Sequence, residues 1–257
     1  LDNNGGKPFI QKAKDILECS VDGGVSVVSE IFLEGVVGAV VPGFTSFVLN
    51  YKQQRMEANL LRLFYELSLR IEEIERNYRA LGERQKRTIK DFFAGLICDY
   101  VIDEQEADKI EYIANGFVNL TATENPEPTT IIIYLDILKN LRKIDLRLLF
   151  HKLHRPHFTH LELKEYLLKE GISEDIYHRT NEKLQRQGLL VSSLDEDYNK
   201  LVKTVNDLVD YVNALEDQRR RYLPRRSIGF HSKVWESDSL YISDLGNDFI
   251  QFFTNNK

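Results

Sequence analysis

Two stretches of the chain repeat large apolar residues at alternating steps of four and three. In the first, Leu60, Phe64, Leu67, Ile71, Ile74, Tyr78 and Leu81 recur at 4, 3, 4, 3, 4, 3, with Glu, Arg and Asn abundant between them. In the second, Leu194, Tyr198, Leu201, Val205, Leu208, Val212 and Leu215 follow the same steps. This period holds one apolar stripe on one side of an α-helix. No proline or glycine interrupts residues 51–81, so the pattern predicts one continuous helix of about 30 residues, roughly 45 Å long. The second stripe predicts a helix over 194–218, capped by Ser193 with Glu196 three residues on. Stripes this regular are rarely left to water. Pairing with each other, or each with its copy in a dimer, is expected, and the dimer is favoured. Leu60, Phe64, Leu67, Ile71 and Ile74 in the first, and Leu201, Val205, Leu208, Val212 and Leu215 in the second, are the expected assembly residues.

Residues 23–49 hold the most apolar segment, and Gly35 to Leu49 carries no charge for fifteen residues. Glu30, Glu34 and Pro42 interrupt it, short of the roughly 20 apolar residues of a spanning helix. It reads as a covered helical hairpin turning near Pro42 and Gly43, with membrane insertion of 31–49 as the alternative. Amphipathic helices are predicted over 84–101 and 103–118, the latter with acids in its first turn. TATENPEPTT (121–130) holds two prolines and no large apolar residue, which predicts a linker between a helical domain (1–120) and a second domain (131–257).

The second domain reads as helix, helix, helix, strand, strand, helix. Residues 131–153 form one long apolar helix or two abutting ones, ending before Pro156. Thr159 with Glu162 starts the next, which ends at Gly171. Ser173 starts a third, closed by Gly188. LLVSS (189–193) and SLYIS (239–243) are strand-like, and DLGNDFIQFF (244–253) is a last helix. This is the order of a winged helix-turn-helix. A wing is usually a tight hairpin, yet residues 194–238 separate these strands, so the second stripe is a helix inserted into the wing. The fold class is therefore mainly α: an N-terminal helical domain with a long coiled-coil-like helix, then a winged helix-turn-helix with that insertion.

Charge qualifies the picture. The net charge of -6 disfavours general coating of nucleic acid, because phosphate neutralisation needs positive charge. Residues 1–126 carry 14 basic and 20 acidic side chains, and residues 127–257 carry 20 of each. Any basic surface is thus local. Arg219, Arg220, Arg221, Arg225 and Arg226 lie within eight residues beside Tyr222. Guanidinium groups match phosphate and carboxylate bidentately, so this cluster suits nucleic acid or an acidic partner. Equally, it could cap the inserted helix and pair with Glu72, Glu73 and Glu75. On the helix of 174–187, His178, Arg179, Gln185 and Arg186 could read bases, opposed by Glu174, Asp175 and Glu182.

Candidate chemistry is sparse. His151, His154, His157 and His160 recur every third residue, but Pro156 breaks the helix between them and no acid lies among them, so no metal site is expected. Phosphate-binding glycine loops, nucleophile elbows and dinucleotide turns are absent from the sequence. Two cysteines exclude a disulfide framework and suit a reducing cytoplasm, and Cys98 reads as a core thiol. Neither catalysis nor a cofactor is expected.

KLQRQGLL (183–190) with LYISDLGNDFIQFF (240–253) resembles the end of many bacterial winged-helix domains: a helix closing on leucine-glycine-leucine, a strand, then a turn opening the final helix, here Ile242-Ser243-Asp244-Leu245-Gly246. Together with the apolar, glycine-rich N-terminal half, the layout resembles the Abi-alpha (abortive-infection) type of prophage and defence proteins. The resemblance covers about 120 C-terminal residues. It implies a bacterial oligomerising or interaction protein, cytoplasmic or membrane-associated, acting through coiled-coil assembly and a basic patch. A DNA-binding regulator and a membrane-active effector are the alternatives.

Overall fold

The computed structural model describes residues 6–18, 26–37, 50–154, 160–216 and 240–254. These form a mainly α-helical protein with one small two-stranded antiparallel sheet. The chain divides into two compact units, Leu1–Leu146 with Asp248–Lys257, and Arg147–Asn247.

In the first unit, α1 (Gly6–Glu18) is followed by a short turn of helix, α2 (Val27–Ser29), which Ser26 caps through its side chain on the Ser29 amide at 3.0 Å. The backbone then widens into a π-helix over Glu30–Val37. Residues 38–49, with the expected hairpin turn, lie outside the described residues. The first apolar stripe does not form one rod. It forms α3 (Asn50–Ser68) and α4 (Ile71–Ala80), separated at Leu69 and Arg70. Arg70 leaves helical geometry (φ -125°, ψ 22°), and its carbonyl accepts from Glu73 and Ile74 to begin α4. Its guanidinium is held by Glu73 at 2.8 Å and Asn115 at 2.8 Å. On both sides of the break the stripe faces the interior of the unit, with Leu60, Phe64 and Leu67 before it and Ile71 and Ile74 after it buried.

That interior is closed by the neighbouring helices. After α4 come α5 (Glu83–Thr88), a π-helical turn (Ile89–Phe93) and α6 (Ala94–Asp103). The expected helix over 103–118 starts later, as α7 (Ile110–Ala122) behind a 3-10 turn at Ala107–Lys109. The acids did not build its first turn. Glu104 instead folds over a loop, accepting from the amides of Gln105 and Glu106 at 2.8 and 2.9 Å. Helix α3 packs against α1, α6 and α7, and α4 packs against α2 and α7. Phe32, Phe64 and Phe117 meet edge to face, with centroids 5.9 Å (Phe32–Phe64) and 4.9 Å (Phe32–Phe117) apart.

Residues 121–130, read as a linker, lie inside this first unit: α7 runs to Ala122, and α8 (Pro128–Asn140) starts with Glu127 accepting from the Thr130 amide. Residues 131–153 form two abutting helices, α8 and α9 (Lys143–His154), with Asp145 accepting from the Arg142 amide at the break.

The second unit takes up α10 (His160–Glu170), α11 (Glu174–Arg186), β1 (Leu190–Ser192), α12 (Ser193–Glu216) and β2 (Leu240–Ile242). Ser173 caps α11 through the Ile176 amide. Gly188, at φ 74°, reverses the chain after α11 and lets the Leu189 amide reach the Leu184 carbonyl at 2.9 Å. The strands pair Leu190 with Ile242, Val191 with Tyr241 and Ser192 with Leu240. Gly246 sits where a Cβ would fall 2.3 Å from the Leu189 carbonyl oxygen, so only glycine lets the turn after β2 close against β1.

The final helix, α13 (Asp244–Phe253), departs from the expected domain assignment. From Asp248 onward it belongs to the first unit, where Phe249 and Phe253 are buried and Tyr134 meets Phe249 and Phe252. Asn119 donates to the carbonyl of Phe252 at 2.8 Å.

Candidate interaction surface

The two stripes end in opposite environments. Leu60, Phe64, Leu67, Ile71 and Ile74 are buried within the first unit, with Phe64 and Leu67 fully so. The unit's own helices cover them, and they have no surface left to join a second chain. Their expected assembly role is corrected to a core role.

On α12 the outcome is reversed. Leu201, Val205, Leu208 and Val212 all stay exposed, Val205 at 48% and Val212 at 49%. Tyr198 is exposed beside them; the side chains of Leu194 and Leu215 lie outside those described. Val202 and Val209 are exposed too. These two were missed in the stripe reading, although each follows a stripe leucine by one residue and seven residues separate them. They widen the seam into a face about three residues in seven broad. Among the described elements, the strand β1 that precedes α12 in the chain is its main neighbour. A 24-residue helix is about 36 Å long. Its apolar face is a long ridge in water.

On α11 the structure separates two faces. Thr180, Asn181 and Leu184 point inward, while His178, Arg179, Glu182 and Arg186 are exposed and Gln185 is half-buried. Arg186 pairs with Glu182 at 3.2 Å, so part of the basic charge is met on the same face. Arg219, Arg220, Arg221, Arg225 and Arg226 lie outside the described residues.

Of the histidine series, the side chains of His151 and His154 are described and that of His160 is not. His151 stacks on Tyr166 with centroids 4.3 Å apart, His154 bonds the Phe150 carbonyl oxygen through Nδ1 at 2.9 Å, and His157 lies outside the described residues. Among the described residues, no group of three or more His, Cys, Asp or Glu is placed to hold a metal. No described helix is long and apolar enough to cross a membrane. Residues 38–49, most of the segment read as able to insert, are outside that statement.

Two buried ionic groups were not legible in the sequence. Glu104 and Lys109 form an ion pair at 2.7 Å while only 6% and 2% exposed. Asn59 braces the same loop, donating to the carbonyls of Val101 and Glu104 at 3.0 and 2.9 Å. In the second unit, Lys152 is 5% exposed, and its ammonium lies over the Tyr177 ring at 5.9 Å. Burial pulls its pKa below the usual lysine range. The Cys98 thiol, enclosed in α6, is pushed up to about 12 by burial first and Asp99 second, which makes it a poor nucleophile. Both ionic groups stabilise or strain a fold.

Comparison with protein-family models, with curated proteins and with solved structures finds no match to this chain.

Proposed function

We propose that this chain is a non-enzymatic helical assembly protein, of the bacterial prophage or phage-defence kind that its C-terminal pattern resembles, and that α12 is the surface through which it assembles. The exposed apolar face of α12 carries the reading. This ridge, on the order of 600 Å², stands at the upper end of the largest patches found on monomers, about 300–600 Å², and patches of that size are often functional. The first stripe has no part in assembly. The Arg219–Arg226 segment follows α12 in the chain, and in this reading it engages an acidic partner once assembly has set its position. Light scattering on the wild type and on Leu208→Asp tests the proposal. A mass above one chain that falls in the variant, at unchanged helical circular dichroism, supports it. An unchanged mass on Leu208→Asp refutes it.

The exposed face of α11 favours a second reading, a DNA-binding regulator that contacts DNA through that face. His178, Arg179 and Arg186 stand together at the surface, and the helix ends against a strand pair. A phosphate-contacting face should bind duplex DNA with a steep salt dependence. Arg179→Ala with Arg186→Ala should then weaken binding at least tenfold. Equal binding by wild type and double variant would remove this reading.

A further inference from the structure

The residue order on α12 restricts what can cover it. With Leu194 at heptad position d, Tyr198, Val205 and Val212 fall at a, and Leu201, Leu208 and Leu215 at d. β-Branched residues at a with leucine at d favour two parallel strands over three or four. Val202 and Val209 at e border the seam on one side, and Thr204 and Tyr211 at g on the other. From Tyr198 to Leu215 no a, d, e or g position carries a charge. Lys200, Lys203, Asp207 and Asp210 all fall at c or f, on the far side of the helix. Two identical faces can therefore meet in register without opposing like charges.

The area is also of the right size. The a, d and e residues from Tyr198 to Val212 are each between 38% and 66% exposed. They offer on the order of 600 Å² per copy, so two faces together bury roughly 1,200 Å², the lower edge of stable specific interfaces. We infer that α12 pairs with α12 of a second copy of this chain, parallel and in register, so that Val205 and Val212 each lie against the same residue of the other copy. This rests on the assembly reading above and names its partner and orientation.

Single cysteines on α12 test it, in the full chain carrying Cys19→Ser; Cys98 is buried and does not compete. Val212→Cys and Leu201→Cys, near opposite ends of the face, should each form a disulfide-linked dimer on mild oxidation, in more than half of the protein. Lys203→Cys, at position f, should not. Light scattering should give twice the 30.0 kDa of one chain. A doubled mass in which neither variant links alone, but a mixture of the two does, would show an antiparallel pair. That overturns this inference and leaves the assembly reading standing. The mass of a single chain at tens of micromolar would overturn both. Because both sites are exposed on α12, circular dichroism should match the parent, and if one variant misfolds the other decides.

Discussion

The stripe of α3 and α4 and the stripe of α12 share a step pattern and differ in everything that covers them. Around Phe64 and Leu67 the chain supplies α1, α6 and α7, and the side chains vanish from the surface. Around Val205 and Val212 the described chain supplies almost nothing, and they stand in water. A heptad pattern states that a helix face must be covered. It does not state by what, because the same 3.5-residue period suits a neighbour in the same core and a helix from another molecule. The break at Arg70 is where the two cases separate. The interrupted stripe lies within its own core, whereas the uninterrupted 24 residues of α12 carry theirs at the surface.

The sharpest contrast between the regions comes from the same substitution made in each. Leu67→Asp places a carboxylate in a fully enclosed site, and the cost of an unpaired buried charge should exceed about 5 kcal/mol and unfold the first unit. Leu208→Asp should leave folding of the single chain within about 0.5 kcal/mol, because the side chain is exposed, and should change only the molecular mass. Urea denaturation at low protein concentration measures both. Similar losses of folding stability would erase the distinction between a core stripe and an interface stripe.

Next in size is the ion pair beneath α7. Lys109→Met leaves the Glu104 carboxylate buried without its counter-charge, and breaking such a pair costs about 3–5 kcal/mol. The double change Glu104→Gln with Lys109→Met should recover part of that loss, because the uncompensated charge is gone. A wild-type melting temperature for Lys109→Met would mean that the first region is wetter than its burial shows. A smaller effect probes the second unit apart from α12. Gly246→Ala sets a methyl against the Leu189 carbonyl and should cost about 2 kcal/mol through the strand pair, as read by thermal melting. Leu208→Asp should cost the same unit nothing.

Much of the architecture was written in local chemistry. Ser173, Gly171 and Gly188 mark helix ends by capping and by positive φ, which are properties of single residues and read directly from the sequence. The strand pair fell within LLVSS and SLYIS, the two runs that read as strand-like. What escaped were outcomes of packing. Arg70 is an ordinary helix former, yet it leaves helical geometry between α3 and α4, where its guanidinium donates to Asn115, 45 residues away. Glu104 looked like a first-turn acid until Lys109 claimed it. TATENPEPTT has the composition of a linker, yet contacts on both sides of it belong to one unit. The candidate surface was half legible: the stripe of α12 was visible, but its exposure was not, since a pattern of side chains contains no list of neighbours.

The gentlest probe sets a core thiol against one placed on the ridge. Cys98 lies in α6, which packs on the buried stripe, and its pKa rises from 9.0 to about 12 because burial disfavours the thiolate. At pH 8 that leaves on the order of one part in 10⁴ ionised, against roughly a tenth for a thiol at 9.0. In a Cys19→Ser background, at protein concentrations low enough to keep the chain single, Val209→Cys should therefore react with a thiol reagent about 10³-fold faster than Cys98 in the folded protein. The same shift has a sign in stability. The unfolded chain loses the thiol proton near pH 9 while the folded chain keeps it to about 12, so the stability carried by the neutral thiol is complete below pH 9 and is lost as pH rises toward 12. Compared with Cys98→Ala, which lacks this proton, the wild type should lose an extra amount on the order of 1 kcal/mol by pH 10. Parallel pH profiles for the two proteins, with Cys98 as reactive as Val209→Cys, would place both stripes in the same solvent and leave α12 no special claim to a partner.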